Sequence, residues 1–473
     1  MEEVDAEIIE PFNLNFSDLL LLSASRGSSF SKEELERLES ISTTIMETLG
    51  PSGPGLLTIT GVPNASELRQ ILLPLARNLA LLGNEDRKRA LKENSLGSDV
   101  SLKNPDRIVS SFAMQLKYVE DPSLDFSFSG SSQNWEVVPE DLGDFPDNGF
   151  KNLKNTFKDL GICMMELGLR LAQVCDRAIG GKELEQSILD SCTAKGRLLH
   201  YHSSLDNLFL KDFEKTKSSI RRVTNPVQLS IGFRESETKN KEQTLVDDLN
   251  RDTCETETRF CKTSLSKFWQ QWHYDYGIFT VLTTPMFISP CHEPTQGSNY
   301  GNCMSCEQEC SPPDGHTYLQ LFDHNNNRIL VVRSPPDSFV VQVGESADIL
   351  SKGKLQSTLH SVCRPAKQDN LSRETFVVFL QPAWDKTFSI SQHLKEKLIS
   401  NEQCSRACDE IGVSTSDAIS FHLNEKVMLS LIEEINGIVP PLSSRLKDGM
   451  TFAEFSRETT KQYYGGNGMQ SKR

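Results

Sequence analysis

The chain has 473 residues, 37% hydrophobic and 24% charged, which suffices for one large domain or two to three ordinary ones with a sizeable core. Its net charge of −15 and pI of about 5.2 argue against a protein that wraps a phosphate backbone, because nucleic-acid binders present a basic face. There is no unbroken apolar run of the roughly 18 residues that a membrane span needs. The acidic start, MEEVDAEIIE, reads as neither a secretory signal nor a transit peptide, so the expected setting is the cytoplasm, with the nucleus as second choice.

Residues 31–50 read as a helix: Ser31 and Glu34 form a capping box, Leu35, Leu38, Ile41, Ile45 and Leu49 recur at helical spacing, and Gly50 stops it. LLTIT at 56–60 reads as a strand, and 64–82 as a helix kinked at Pro74. Residues 150–180 predict a long helix with Leu153, Phe157, Leu160, Met164, Leu167 and Leu171 on one stripe, ended by Gly180-Gly181. From about 197 the pattern changes. RLLHY, FTVLTTPMF, TYLQLFD, RILVVR, SFVVQV and TFVVFLQP are short β runs separated by turn residues, the spacing of a sandwich or barrel. The charged block 234–258 lacks large apolar groups and reads as a loop. An amphipathic helix is expected near 420–436, followed by a polar tail.

The sharpest local feature is WHYDYG, residues 272–277. On a strand, residues i and i+2 share a face, so His273 and Asp275 can reach one metal ion from a rigid element. Two histidines and one carboxylate with open positions opposite suit iron(II) oxygenases, where a cosubstrate and O₂ must both reach the metal. Taken alone, His-x-Asp usually means an exposed strand with a solvated carboxylate.

Its surroundings resemble a known family. HYDYGIFTVLTT is similar to the His-x-Asp-x-Gly-x-x-Thr-x-Leu segment of the plant-type 2-oxoglutarate- and iron(II)-dependent dioxygenases, the branch that also holds isopenicillin N synthase. FVVQVGESADILSKGKLQSTLHSV looks like that family's stretch ending on the second histidine ligand, and SRETFVVFLQP like its Arg-x-Ser segment. GLLTITGVP and DGMTFAEFSRETTKQYY resemble its early strand and C-terminal helix, so the likeness covers most of the chain. The resemblance implies a mainly β fold with flanking helices: a double-stranded β-helix (jelly roll) wrapped by N- and C-terminal helices. Residues 1–190 would be the N-terminal region, 191–385 the catalytic core with inserts at about 204–268 and 291–312, and 386–473 the C-terminal region and tail.

The same resemblance implies that His273, Asp275 and His360 hold iron(II) and that Arg373 binds the distal carboxylate of 2-oxoglutarate. Thr375, where the family has serine, would add a hydroxyl, and Tyr201 would contact the cosubstrate. Leu199 replaces the family's usual asparagine beside that tyrosine, and the spans from Tyr201 to His273 and from His273 to His360 are longer than in relatives. From the residues alone, His360 also reads as a core histidine, Arg373 as a strand-edge cation and Tyr201 as a core aromatic. The implied reaction uses O₂ to oxidise a small organic molecule by hydroxylation, desaturation or demethylation. The alternatives are a protein substrate, a non-catalytic binding or regulatory protein, or an oxidase that needs no 2-oxoglutarate. No nucleic-acid or membrane partner is expected, and the sequence does not set the oligomeric state.

Of the 12 cysteines, expected to be mostly reduced thiols, four crowd into residues 291–310: Cys291, Cys303, Cys306 and Cys310. Cys303-x₂-Cys306 has a zinc-ligand spacing, but only one such pair is present. The loop therefore reads two ways, as a structural zinc site or as free thiols.

Overall fold

A computed structural model describes residues 6–24, 30–98, 100–118, 149–223, 267–290, 307–365, 368–391, 393 and 429–464. The β-branched runs form strands β1 (Glu7–Ile9), β2 (Asn13–Asn15), β3 (Leu56–Thr60), β4 (Gly97–Ser98), β5 (Val109–Lys117), β6 (Thr193–Tyr201), β7 (Phe268–His273) and β8 (Phe279–Thr283). Then follow β9 (Met286–Pro290), β10 (Glu307–Cys310), β11 (Leu319–Asp323), β12 (Arg328–Val332), β13 (Phe339–Val343), β14 (His360–Cys363) and β15 (Ser372–Leu380). They sort into a small sheet, β1-β12-β11-β14-β7, and a large one, β2-β3-β13-β8-β15-β6-β5-β4, which β9 and β10 extend from β15. Pairing is antiparallel except for β1 with β12 and β2 with β3. The chain passes from small to large sheet between β7 and β8, and again around β14, the winding of a double-stranded β-helix whose two mixed sheets are not closed into a barrel.

Strand alternation gives the large sheet two different faces. On β15, Phe376, Val378 and Leu380 enter the core shared with the helices, whereas Val377 belongs to the core between the sheets. Against the helical side lies Leu153–Ile179, whose buried stripe includes Leu153, Phe157, Leu160, Met164, Leu167 and Leu171, as its periodicity predicts. Gly180 ends it at φ +86°, a left-handed turn that costs glycine little. Helix Lys32–Leu49 begins at Ser31, whose hydroxyl accepts the Glu34 amide, and Ala65–Leu81 contains Pro74.

Two expectations need adjustment. FTVLTTPMF is not one strand: Pro285, with no N–H to give, separates β8 from β9, and the Thr284 amide turns to the Ser338 carbonyl. The expected helix near 420–436 is described only from residue 429, where 429–438 are helical and Ile435 packs with Trp272, Phe322, Ile329 and Leu359 against the small sheet. The block 234–258 lies outside the described residues. Among the described residues no helix is long and apolar enough to cross a membrane.

The C-terminal segment is clamped to the β structure by a buried ion pair. Arg445 donates through both terminal nitrogens to the Glu345 carboxylate, at 2.6 and 2.7 Å, with both residues at most 3% exposed. Its guanidinium also lies against the Phe455 and Tyr463 rings of helix Phe452–Tyr464. The Glu345 amide donates to the Asp275 carbonyl at 2.8 Å, so the clamp ends on a candidate metal ligand. Removing one partner strands a buried charge. Arg445→Met is therefore expected to lose about 3–5 kcal/mol in urea unfolding, and Glu345→Gln with Arg445→Met clearly less. Equal losses in both variants would show that the pair is not the clamp.

Candidate metal centre and its cavity

His273 and His360 are direct cross-strand partners on β7 and β14. That register places their side chains together, with ring centroids 4.2 Å apart. Each ring's Nδ1 faces a backbone carbonyl, Gln271 O at 2.7 Å and Thr358 O at 3.0 Å. A carbonyl can only accept, so Nδ1 carries the proton and Nε2 presents a lone pair. Both Nε2 atoms approach the Asp275 carboxylate, each at 3.8 Å.

The structure corrects the expectation that His273 and Asp275 share one strand face. β7 ends at His273, and Asp275 lies beyond it, in a segment without ladder pairing. Asp275 is aimed instead by its carbonyl's bond from Glu345 and by its side chain's partners. Thr280 donates to Oδ2 at 2.6 Å and the Gln342 amide donates to the same atom at 3.0 Å. The close crossing of Gly277 and Gly344 also fixes this turn: a Cβ on Gly344 would lie 2.3 Å from the Gly277 carbonyl.

One donor from each of the three residues lies within 4.8 Å of the others, a spread that an ion can span, and the set of two imidazoles and one carboxylate fits iron(II). Gln342 supplies a second test of fit. Its Nε2 lies 3.0 Å from both Asp275 Oδ2 and His360 Nε2, while its Oε1 is sealed without a partner. The amide nitrogen thus gives hydrogens to two ligand atoms that a cation would otherwise satisfy. Burial, reinforced by the neighbouring His360, pushes His273 down to about 4. Burial alone would raise Asp275, but the two histidines, Thr280 and Gln342 hold it below the usual carboxylate range. The resting state is therefore a neutral His273 ring beside an ionised carboxylate, which is the ligating form.

The triad opens into a cavity of about 380 Å³. Arg373 lines it together with Tyr201, Thr375 and apolar side chains such as Leu199, Leu282 and Val377. Arg373 and Tyr201 are cross-strand partners on β15 and β6, with the guanidinium 5.4 Å from the centre of the tyrosine ring. Arg373 is 2% exposed, and its Nε donates to the Thr317 carbonyl at 3.2 Å. Among the described residues its two terminal nitrogens have no hydrogen-bond or ion-pair partner. Thr375 lines the cavity, but its hydroxyl is already shared with Thr283, at 3.4 Å. Thr459, Thr460 and Tyr463 of the C-terminal helix close one side. Gln342 escaped the sequence reading, and Thr280, the threonine of the His-x-Asp-x-Gly-x-x-Thr-x-Leu segment, was given no role in it. Gln342 is an amide inside the otherwise apolar FVVQV, and that oddity was the available signal.

Residues 287–382 match the family described as the 2OG-Fe(II) oxygenase superfamily. Over that stretch the chain carries the pattern of the 2OG-Fe(II) dioxygenases, an oxidoreductase family with iron(II) and 2-oxoglutarate as the implied cofactors. The matched span contains His360 and Arg373, while His273 and Asp275 lie upstream and are joined to it by the geometry above. A full-length Neurospora crassa protein, solved in complex with alpha-KG and thymine, is similar at 16% identity over 82% of this chain and 90% of that one, with a TM-score of 0.41. The dioxygenase for auxin oxidation from rice is similar at 15% identity over 80% and 85%, also at 0.41. JOX2, solved with 2OG, Fe and JA, gives 14% identity over 82% and 87% at 0.39. No curated protein matches the chain.

The cysteine loop gains no support as a zinc site. Cys291, Cys303 and Cys306 lie outside the described residues, and Cys310 sits in the β9–β10 hairpin with its thiol on the Phe287 carbonyl at 3.4 Å.

Because the folded pKa of His273 lies below its ordinary value of 6.5, protons favour the unfolded chain, and metal-free stability should decline as pH falls from 6.5 towards about 4. Mn²⁺ affinity, measured by calorimetry, should hold down to the ordinary histidine range and collapse only near about 4. A midpoint already at 6.5 would show that the ring is not buried as described.

Proposed function

We propose that this oxygenase oxidises a small organic molecule, with His273, Asp275 and His360 holding iron(II) and Arg373 receiving the distal carboxylate of 2-oxoglutarate. The observation that carries the reading is Arg373: a buried guanidinium whose terminal nitrogens meet no acid among the described residues, in the same cavity as the triad. A desolvated cation of this kind is costly unless an anion meets it, and its planar fork matches a carboxylate bidentately. The Tyr201 ring beneath it holds the fork in place.

When bound, iron(II) would activate O₂ with 2-oxoglutarate as the co-reductant, one oxygen atom going into the succinate that is formed with CO₂ and the other serving to oxidise the substrate. The chain's own residues bind, aim and exclude. The Gln271 and Thr358 carbonyls fix both imidazole tautomers, and Thr280 and Gln342 keep the Asp275 carboxylate ionised and turned inward. Leu199, Leu282 and Val377 give the cavity an apolar lining, so the charges there act in a low dielectric. A cavity of this size suits a small-molecule substrate beside the cosubstrate.

The test is an anaerobic titration of the metal-free protein with iron(II) and 2-oxoglutarate, following the visible charge-transfer band of the chelated cosubstrate. His273→Ala should abolish the band. Arg373→Ala should weaken 2-oxoglutarate binding by about 30-fold or more, the scale of truncating one partner of a buried charge pair at about 2 kcal/mol or above. No band in the folded, iron-loaded wild type would overturn the cosubstrate assignment.

A further inference from the structure

The strands that carry Tyr201 and Arg373 into the cavity present a second cluster on their other face. Because Leu199 and Tyr201 point inward from β6, His200 points outward, and Glu374 does the same from its cross-strand position on β15. His202 follows two residues later, and Asp206 lies in the first turn of helix Ser204–Val223. All four side chains are buried to within 1%. The His200 and His202 ring centroids are 4.2 Å apart, and His200 Nε2 lies 3.5 Å from Asp206 Oδ2. One donor atom from each of His200, His202 and Asp206 falls within 4.8 Å of the others, the same spread as in the His273–Asp275–His360 triad.

Two ring nitrogens in this cluster make no hydrogen bond. His200 Nε2 and His202 Nδ1 are sealed from solvent without a hydrogen-bond partner. The opposite nitrogen of each ring is engaged: His200 Nδ1 with Glu374 Oε2 at 3.0 Å, and His202 Nε2 with Ser110 Oγ at 2.9 Å. A ring held from behind by a carboxylate or hydroxyl, with its free lone pair forward, is how proteins present histidine to a metal. Asp206 accepts from Arg77 at 2.8 Å and from the Ser203 amide and hydroxyl at 2.8 and 2.7 Å. That uses three of about four acceptor positions on a carboxylate and leaves one.

The charges point the same way. Burial opposes a positive charge on His200, yet Glu374 and Asp206 raise it to about 9, so this spot attracts a cation despite Arg77, Arg107 and Arg364 nearby. A proton there would serve Glu374 and Asp206 but would leave His202 Nδ1 bare, at about 1–3 kcal/mol. His202 itself is held well below the ordinary range by burial and by His200, and stays neutral.

We propose that His200, His202 and Asp206 form a second, structural divalent-metal site of zinc type, separate from the catalytic triad. Two imidazoles and a carboxylate in a closed, buried setting suit Zn²⁺, with a water completing the tetrahedron. The ion would tie helix Ser204–Val223 to the back of the strand pair that holds Tyr201 and Arg373.

The experiment strips the full-length protein with a chelator and titrates it with Co²⁺, counting bound metal by mass spectrometry and reading the visible bands. Wild type should bind two nitrogen- and oxygen-ligated equivalents, His273→Ala one, and His273→Ala with His202→Ala none. Cobalt held by the 291–310 thiols reveals itself by sulfur-to-metal charge-transfer absorption and is not counted. A His273→Ala protein that is folded by circular dichroism and holds no nitrogen- and oxygen-ligated cobalt overturns the proposal. That arm leaves the second cluster untouched, so it decides the matter even if the His202 variant misfolds.

Discussion

The candidate metal centre depends on one cross-strand contact, His273 against His360. Because the two residues are register partners, any shift of β14 along β7 by one residue would turn one imidazole to the far face of the small sheet. The register is held from both sides. β14 also pairs with β11, and the outer face of the small sheet is packed by Trp272, Phe322, Ile329 and Leu359. The hydrophobic pattern that buries those residues is therefore also what aims the ligands, although none of them touches the site's chemistry.

The third ligand is held by a different kind of force. Asp275 stands past the end of its strand, so no ladder fixes it, and polar contacts take over. Its carbonyl meets Glu345, Glu345 meets Arg445, and Arg445 meets the C-terminal helix. The helix that closes the cavity with Tyr463 is thus the same one that steadies the carboxylate, and the Tyr463 hydroxyl also accepts the Tyr274 amide between the two ligands. Closing the cavity and completing the triad become one structural event.

Much of this was legible in the residues. The apolar periodicities located the long helices because burying a stripe dominates their energetics, and the β runs located the strands for the same reason. His273, Asp275, His360 and Arg373 were readable because they sit in ordered local motifs. Legibility failed where a role exists only after folding. Strand alternation was the wrong ground for Asp275, since nothing local shows that β7 stops one residue after Trp272. Gln342 acquires its partners only when β13 crosses over β14, and His200 is merely the residue between Leu199 and Tyr201 until the Ser204–Val223 helix brings Asp206 back against it.

That last case shows what a β pair with two buried faces can do. In an ordinary half-exposed sheet, the residues alternating with Tyr201 and Arg373 would meet water and be free to vary in charge. Here the large sheet is covered by helices, so His200 and Glu374 must be satisfied inside the protein. Any group that satisfies them also fixes the backbone of the two strands, and with it the spacing of Tyr201 and Arg373 on the front. The charge network on the back is then no ornament to the cavity: the placement of Tyr201 and Arg373 on the front is only as firm as the contacts that hold His200 to Glu374 and Asp206.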